Sequence, residues 1–403
     1  MLQGSLKSTT LRGASSLRII VLGYIVRGPI GGLAWHHLQY VLGLSALGHE
    51  VCFVEDSDEY ASCYDPVQNL MSEDPGYGLE FAAHTFNRAG VGDKWVYYDA
   101  HTSRWRGPRA GDIGKICKSA DVVLNVSGVN PLREWTRQIP VRALIDTDPV
   151  FTQIKHLVEP SARERAEQHT HFFTFGENFA KDTCTIPDDH FPWKSTRQPV
   201  FLDAWPVVEG PISGPFTTVM QWDSYKIAEY NGVSYEMKSA SFGAFRALPR
   251  LTRQPLELAL GSPSAPRDEL REHGWLLRDP LVVTRDPWTY QDYIQMSKAE
   301  FSVAKHGYVV SNSGWFSERS AAYLASGRPV VVQETGFSEW LPVDRGIISF
   351  KDRDEALAGI EEINGCYQYH CESARAIAAE YFDSRAVLSR LLDAVMDTTK
   401  LDF

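Results

Sequence analysis

LRIIVLGYIV (17–26), RGPIGG (27–32), LAWHHLQYVLGLSAL (33–47), Gly48-His49 and VCFVED (51–56) follow one another with little between them. The outer runs are apolar and rich in β-branched residues, the central run spaces its apolar residues as a helix does, and Gly48 stands where a helix end accepts a left-handed residue. The stretch reads as strand, turn, helix, strand, the repeating unit of a doubly wound α/β sheet. KWVYY (94–98), DVVLNVS (121–127), VRALIDTD (141–148) and HFFTFGE (171–177) continue the series. Their carboxyl ends are polar or small, and open α/β sheets bind ligands at those ends.

Five prolines between Pro192 and Pro215, with AWPVVEGPISGPF among them, break the series. Neither a helix nor a central strand accepts that run, so it predicts an interdomain linker. A second strand series follows: FTTVMQW (216–222), LELALG (256–261), LVVT (281–284), AEFSVA (299–304), RPVVVQE (328–334) and GIISF (346–350). Asp286-Pro287 and Asp352-x-x-Glu355 are helix starts. The expected organisation is an unstructured extension over 1–16, one Rossmann-like domain over 17–205, a second over 206–380, and a helix over 381–403 that crosses back onto the first domain. Two such domains face a cleft, a favoured ligand position.

The 403 residues carry a net charge of −11, which disfavours nucleic acid or an anionic membrane as the main partner. No apolar stretch reaches the ~20 residues needed to span a bilayer. Six cysteines without a C-x-x-C pair read as reduced thiols of a cytoplasmic protein. No His, Cys and Asp cluster with metal-ligand spacing is evident, so neither a metal nor a resident cofactor is expected.

The segment from Ser311 to Phe337 carries the most chemistry. Ser313, Gly314, Trp315, Phe316 and Ser317 precede a predicted helix that begins near Glu318 and stops at Gly327. Unpaired N–H groups and the positive dipole end of a helix suit a diphosphate. Lys305 and Arg319 supply neutralising charge, with Lys226 and Lys238 as weaker candidates. GWFSERSAAYLASGRPVVVQ resembles the donor-binding region of GT-B glycosyltransferases, and RGPIGG followed by a helix and GHEV resembles the glycine loop and second strand of that superfamily. The resemblance implies sugar transfer from a nucleotide sugar, expected to be a UDP-sugar, to a small-molecule or glycan hydroxyl. It is incomplete: eight positions after Glu318 stands Ser326 where retaining members carry a second glutamate, and Ala322 stands where plant-type members hold ribose.

In the first domain, His36 and His37 follow Gly31-Gly32 as the acceptor-activating histidine does in inverting members. Histidine titrates near neutrality and serves as a general base, and His37 shares its stripe with Leu33, Val41 and Leu44, which is also a core pattern. Asp146 and Asp148 end a strand and are alternative bases, or caps of the following turn. Gly31, Gly32, Glu55 and Glu177 are the expected acceptor-side residues. Trp288, Tyr290 and Tyr293 are aromatic at helical spacing, for stacking or for the core. Two further readings share the fold: a sugar-nucleotide 2-epimerase and a non-catalytic bilobal binding protein.

Overall fold

The computed structural model of the chain describes residues 16–396. Residues 1–15 of the extension expected over 1–16, and residues 397–403 of the expected C-terminal helix, lie outside the described residues. Two sheets organise the rest. The first has eight strands in the spatial order Trp193–Ser195, His171–Thr174, Val141–Asp146, Val122–Val126, Arg18–Leu22, Glu50–Asp56, Trp95–Asp99 and Arg104–Arg106. All neighbours are parallel except the last pair. The second has six parallel strands in the order Leu276–Arg278, Leu256–Gly261, Phe216–Gln221, Ala299–Ser302, Val330–Gln333 and Ile347–Phe350. Strand order reverses beside Arg18–Leu22 in one sheet and beside Phe216–Gln221 in the other, and each reversal opens a crevice at the carboxyl ends.

The strands are buried on both faces, as parallel strands covered by helices must be; Ile19 to Leu22 and Val330 to Gln333 are buried throughout. One apolar cluster crosses the domain boundary, running from Trp35 and Phe175 through Trp205 and Tyr290 to Phe316, Phe382 and Leu388. The proline-rich linker is stitched down: Trp205 is fully buried with its ring 5.0 Å from that of Trp35, and Arg375 donates to the Trp205 carbonyl at 2.7 Å. After a break at Asp383, the Ser384–Met396 helix lies on the Gly31–Ala46 helix. A Cβ on Gly43 would stand 2.6 Å from Leu388, so a glycine is what allows this close crossing.

LVVT (281–284) is not a strand. Asp279 accepts the Leu281 N–H at 2.9 Å and Pro280 fills the first helical position, so Pro280–Val283 forms a helical turn. The Asp-Pro helix start overrides the strand preference of a short β-branched run. The true edge strand is Leu276–Arg278, anchored to Leu256–Gly261 by Arg278, which donates to Glu257 at 2.9 and 3.0 Å. The six cysteines form no disulfide, and among the described residues no helix is long and apolar enough to cross a membrane.

Candidate functional site

The cleft between the carboxyl ends of the two sheets gathers most of the residues singled out above, but gives them different work. Glu55 is fully buried and accepts the N–H groups of Ile25, Val26 and Arg27 at 2.6, 2.8 and 2.7 Å. Those residues are the entry to the glycine loop, so the carboxylate shapes that loop and has no face toward a ligand. Gly31 and Gly32 begin the Gly31–Ala46 helix and meet the second domain: the Gly31 N–H donates to the Thr284 carbonyl at 2.6 Å, and a Cβ on Gly31 would lie 2.3 Å from the Asp286 carbonyl oxygen. The expected acceptor loop is therefore a domain contact. Trp35 reinforces it by donating to the Pro287 carbonyl at 2.6 Å.

His37 belongs to the core, with no exposed surface and its Nε2 accepting the Tyr24 N–H at 3.1 Å. His36 reaches the cavity between the domains, which Gln198, Tyr290 and Glu318 also line. Its Nε2 lies 3.4 Å from the Ser127 hydroxyl, itself 2.9 Å from that of Thr147. Burial lowers the His36 pKa from the usual value, opposed by the Glu318 charge. The imidazole is thus held neutral, the state a general base needs.

Asp146 and Asp148 separate cleanly. The Asp146 carboxylate accepts from the Asp148 N–H at 2.9 Å, Thr152 at 2.6 Å, Gln153 at 3.0 Å and Thr174 at 2.7 Å. All its capacity goes to Thr174 of the neighbouring strand and to a turn in which Val150 adopts φ +71°, a strained value for a β-branched residue. Asp148 is what that turn presents to the other domain. Lys305 donates to both its oxygens, at 2.9 and 3.0 Å, and the hydroxyls of Tyr225 and Tyr308 donate to it as well. One expected catalytic acid and one expected donor cation are each other's partners across the cleft.

The helix expected to receive the donor spans Glu318–Ala325, and the Ser317 hydroxyl caps it by accepting the Arg319 N–H at 3.2 Å. The N–H groups just before the cap and in the first turn have no intrahelical acceptor. Ser313 and Gly314 face elsewhere: the Ser313 carbonyl accepts the Asn178 N–H at 3.2 Å, and the Gly314 N–H donates to Thr335 at 2.7 Å. Gly314 has φ +73°, and a Cβ there would meet Asn178 at 2.7 Å. Asn178 also donates to the Gly336 carbonyl at 2.9 Å. Close approach at Gly314 thus serves Asn178 of the first domain. Glu177, beside it, pairs with Arg197, whose guanidinium lies 4.5 Å from the Trp340 ring. Trp315 stacks on Tyr308 at 4.3 Å and donates to the Thr147 carbonyl at 3.3 Å; Phe316 is buried against Phe337 and Phe382.

Arg319 is committed to Glu300 at 2.6 Å, Ser302 at 2.7 Å and the Val219 carbonyl at 2.9 Å, tying the helix to two strands. Lys238 has no hydrogen bond or ion pair among the described residues. It is half-buried by exposure yet closely surrounded in the cleft; burial, then the Arg319 charge, push its pKa well below the lysine norm, while Glu300 and Glu318 pull the other way. Glu318 is exposed and likewise unpaired among the described residues; its charge acts on Tyr24, His36, Tyr40, Lys238 and Tyr308. Lys238 was a minor candidate in the sequence because no local pattern marks it; only the second sheet brings it beside Arg319 and Glu318. Of the aromatic trio, Tyr293 donates to Glu257 at 2.9 Å and Trp288 packs under Arg88 at 4.1 Å. Among the described residues no group of three or more His, Cys, Asp or Glu is placed to hold a metal.

No protein-family model and no curated protein sequence matches the chain. Solved structures do match it. An α-glucosyltransferase in complex with UDP-glucose and DNA containing an abasic site covers 95% of this chain and 100% of its own, at 12% identity and a TM-score of 0.55. HepE from Anabaena in complex with UDP-glucose covers 94% and 100%, at 10% identity and a TM-score of 0.53. At such identities the likeness speaks to architecture, and with two Rossmann-like sheets and a returning C-terminal helix the chain has the GT-B glycosyltransferase fold.

Proposed function

We propose that the protein transfers a sugar from a nucleoside diphosphate sugar, a UDP-sugar, to a hydroxyl of a small molecule or glycan. The observation that carries this reading is the convergence of the unpaired Lys238 with Lys305 and the open start of the Glu318–Ala325 helix on one cleft of a GT-B fold. An amine held without a partner in a closely surrounded place has its pKa pushed down by burial, and an arriving anion restores its charge. UDP and UDP-glucose appear with the structural neighbours, in agreement with that anion being a nucleotide diphosphate. The DNA held by one neighbour is not carried over, because a net charge of −11 repels phosphate backbones.

In this reading the second domain binds the donor. Lys238, Lys305 and the helix start neutralise the leaving diphosphate, while Glu318 is an acceptor for sugar or ribose hydroxyls. His36 takes the acceptor proton, helped by Ser127, which fixes the ring through Nε2. Closure of the domains keeps water from the glycosyl centre. No resident metal or cofactor is invoked. The test is calorimetry with UDP and GDP, followed by product analysis with UDP-sugars and an acceptor panel. Binding of UDP and formation of a glycoside support the reading; a new sugar nucleotide from donor alone would assign an isomerase; ligand binding without turnover would assign a binding protein.

A further inference from the structure

Lys305, Tyr225 and Tyr308 form an anion pocket on the second domain, and its present occupant is a side chain of the first. The Asp148 carboxylate takes Lys305 on both oxygens and one phenol on each: Tyr308 on Oδ1 and Tyr225 on Oδ2. Lys305 also donates to the Tyr225 oxygen at 2.6 Å, so ammonium and phenols form one donor array. Its floor is aromatic: the Lys305 ammonium lies 5.0 Å from the Phe151 ring, 4.3 Å from that of Tyr225 and 5.3 Å from that of Tyr308. Burial, then the Asp148 charge, push both phenols far above the usual range, so both remain hydrogen-bond donors.

Three features distinguish this contact from the joins at Asn178 and Gly31. The joins at Asn178 and Gly31 are neutral, made by an amide side chain, backbone groups and tight packing, whereas this one is a single carboxylate in a pocket of donors. Second, it opens to solvent: the Asp148 side chain is 30% exposed and Tyr225 is 43% exposed, while Lys305 beneath them is 13% exposed. Third, the chain holds Asp148 there through the strained Val150 turn braced by Asp146. A mostly enclosed ammonium is stabilised by a paired anion, and a carboxylate that is 30% exposed can supply that anion and be displaced from it.

We infer that Asp148 is an internal stand-in for a phosphate of the nucleotide donor, and that donor binding exchanges the carboxylate for the phosphate on Lys305, Tyr225 and Tyr308. The inference rests on the nucleotide-sugar reading. One anion replaces another on the same donors, and no covalent bond changes. The released Asp148 gives up this one contact between the domains, which the empty protein keeps.

Calorimetry with UDP on the full chain tests it with three variants: Asp148→Asn, Lys305→Ala and the double. Removing the competing charge should tighten UDP about tenfold in Asp148→Asn, since charge-assisted bonds are about twice as strong as neutral ones. Lys305→Ala should weaken UDP, and the double variant should bind no tighter than Lys305→Ala, because the gain requires the lysine. Thermal melting without ligand should fall slightly in Asp148→Asn, confirming a folded protein that has lost the pairing. UDP affinity in Asp148→Asn equal to or below that of the native protein overturns the exchange and leaves the donor reading intact. Absence of UDP binding in both overturns the donor reading and the exchange together.

Discussion

The two domains bring ionised side chains to the same cleft and use them differently. In the first domain, Glu55 and Asp146 sit at strand ends, as ligand-binding acids would, yet both are saturated by donors of that same domain. In the second, Lys238 and Glu318 each begin a helix with no side-chain hydrogen bond among the described residues, while Arg319 beside them is spent on architecture. A strand end thus marks a place where a carboxylate is useful and leaves open whether the user is the chain or a ligand. Spare hydrogen-bonding capacity separates the two cases, and on that criterion the donor face is the second domain's.

The comparison breaks first at Glu55. Replacing it with alanine leaves three N–H groups and Arg27 without their acceptor, and denaturant unfolding should register a loss of about 4 kcal/mol. A loss below about 1 kcal/mol would mean that the carboxylate is not a scaffold. Lys238→Ala should do the reverse: stability unchanged or slightly raised, and calorimetric UDP affinity lowered by about 10²-fold, the range of a lost charged contact. Unaltered affinity would remove Lys238 from the donor face.

A smaller effect distinguishes neighbouring glycines. Gly31→Ala should cost about 2 kcal/mol, because its Cβ would meet the Asp286 carbonyl at 2.3 Å. Gly32→Ala, with only the Tyr290 ring at 3.4 Å, should stay within about 0.5 kcal/mol. Equal melting shifts for the pair would contradict the domain contact at Gly31. The smallest effect is electrostatic. Burial lowers the His36 pKa and Glu318 raises it; with Glu318→Gln the raising charge is gone and the pKa falls further. A base that must be neutral then works to lower pH, so the acid limb of the kcat/KM profile should move down. Movement upward, or none, would remove His36 from its role or Glu318 from its vicinity.

Much of this was present in the order of residues. Apolar runs, Gly48, the proline-rich break and the Asp286-Pro287 and Asp352 helix starts are local signals, and local signals fix element type because backbone geometry and capping act over a few residues. Both Asp286 and Asp352 do cap their helices. The same locality misreads LVVT, where a four-residue apolar run carries no period and the Asp279-Pro280 start outweighs it.

The chain by itself determined two α/β series, their break and the segments that end at a cleft, because burying periodic apolar faces allows few other arrangements. What each polar residue does there was decided only by the fold. Asp146 and Asp148 are the same residue type two positions apart, yet one is enclosed by Thr152, Gln153 and Thr174 and the other by Lys305, Tyr225 and Tyr308 from the opposite domain. Gly31 and Gly314 read as room for a ligand and are filled by the Asp286 carbonyl and by Asn178. The physical reason is that hydrogen bonds and steric exclusion act between atoms within about 3 Å, and which atoms come that close across the domain boundary is settled by the packing of two sheets, not by spacing along the chain.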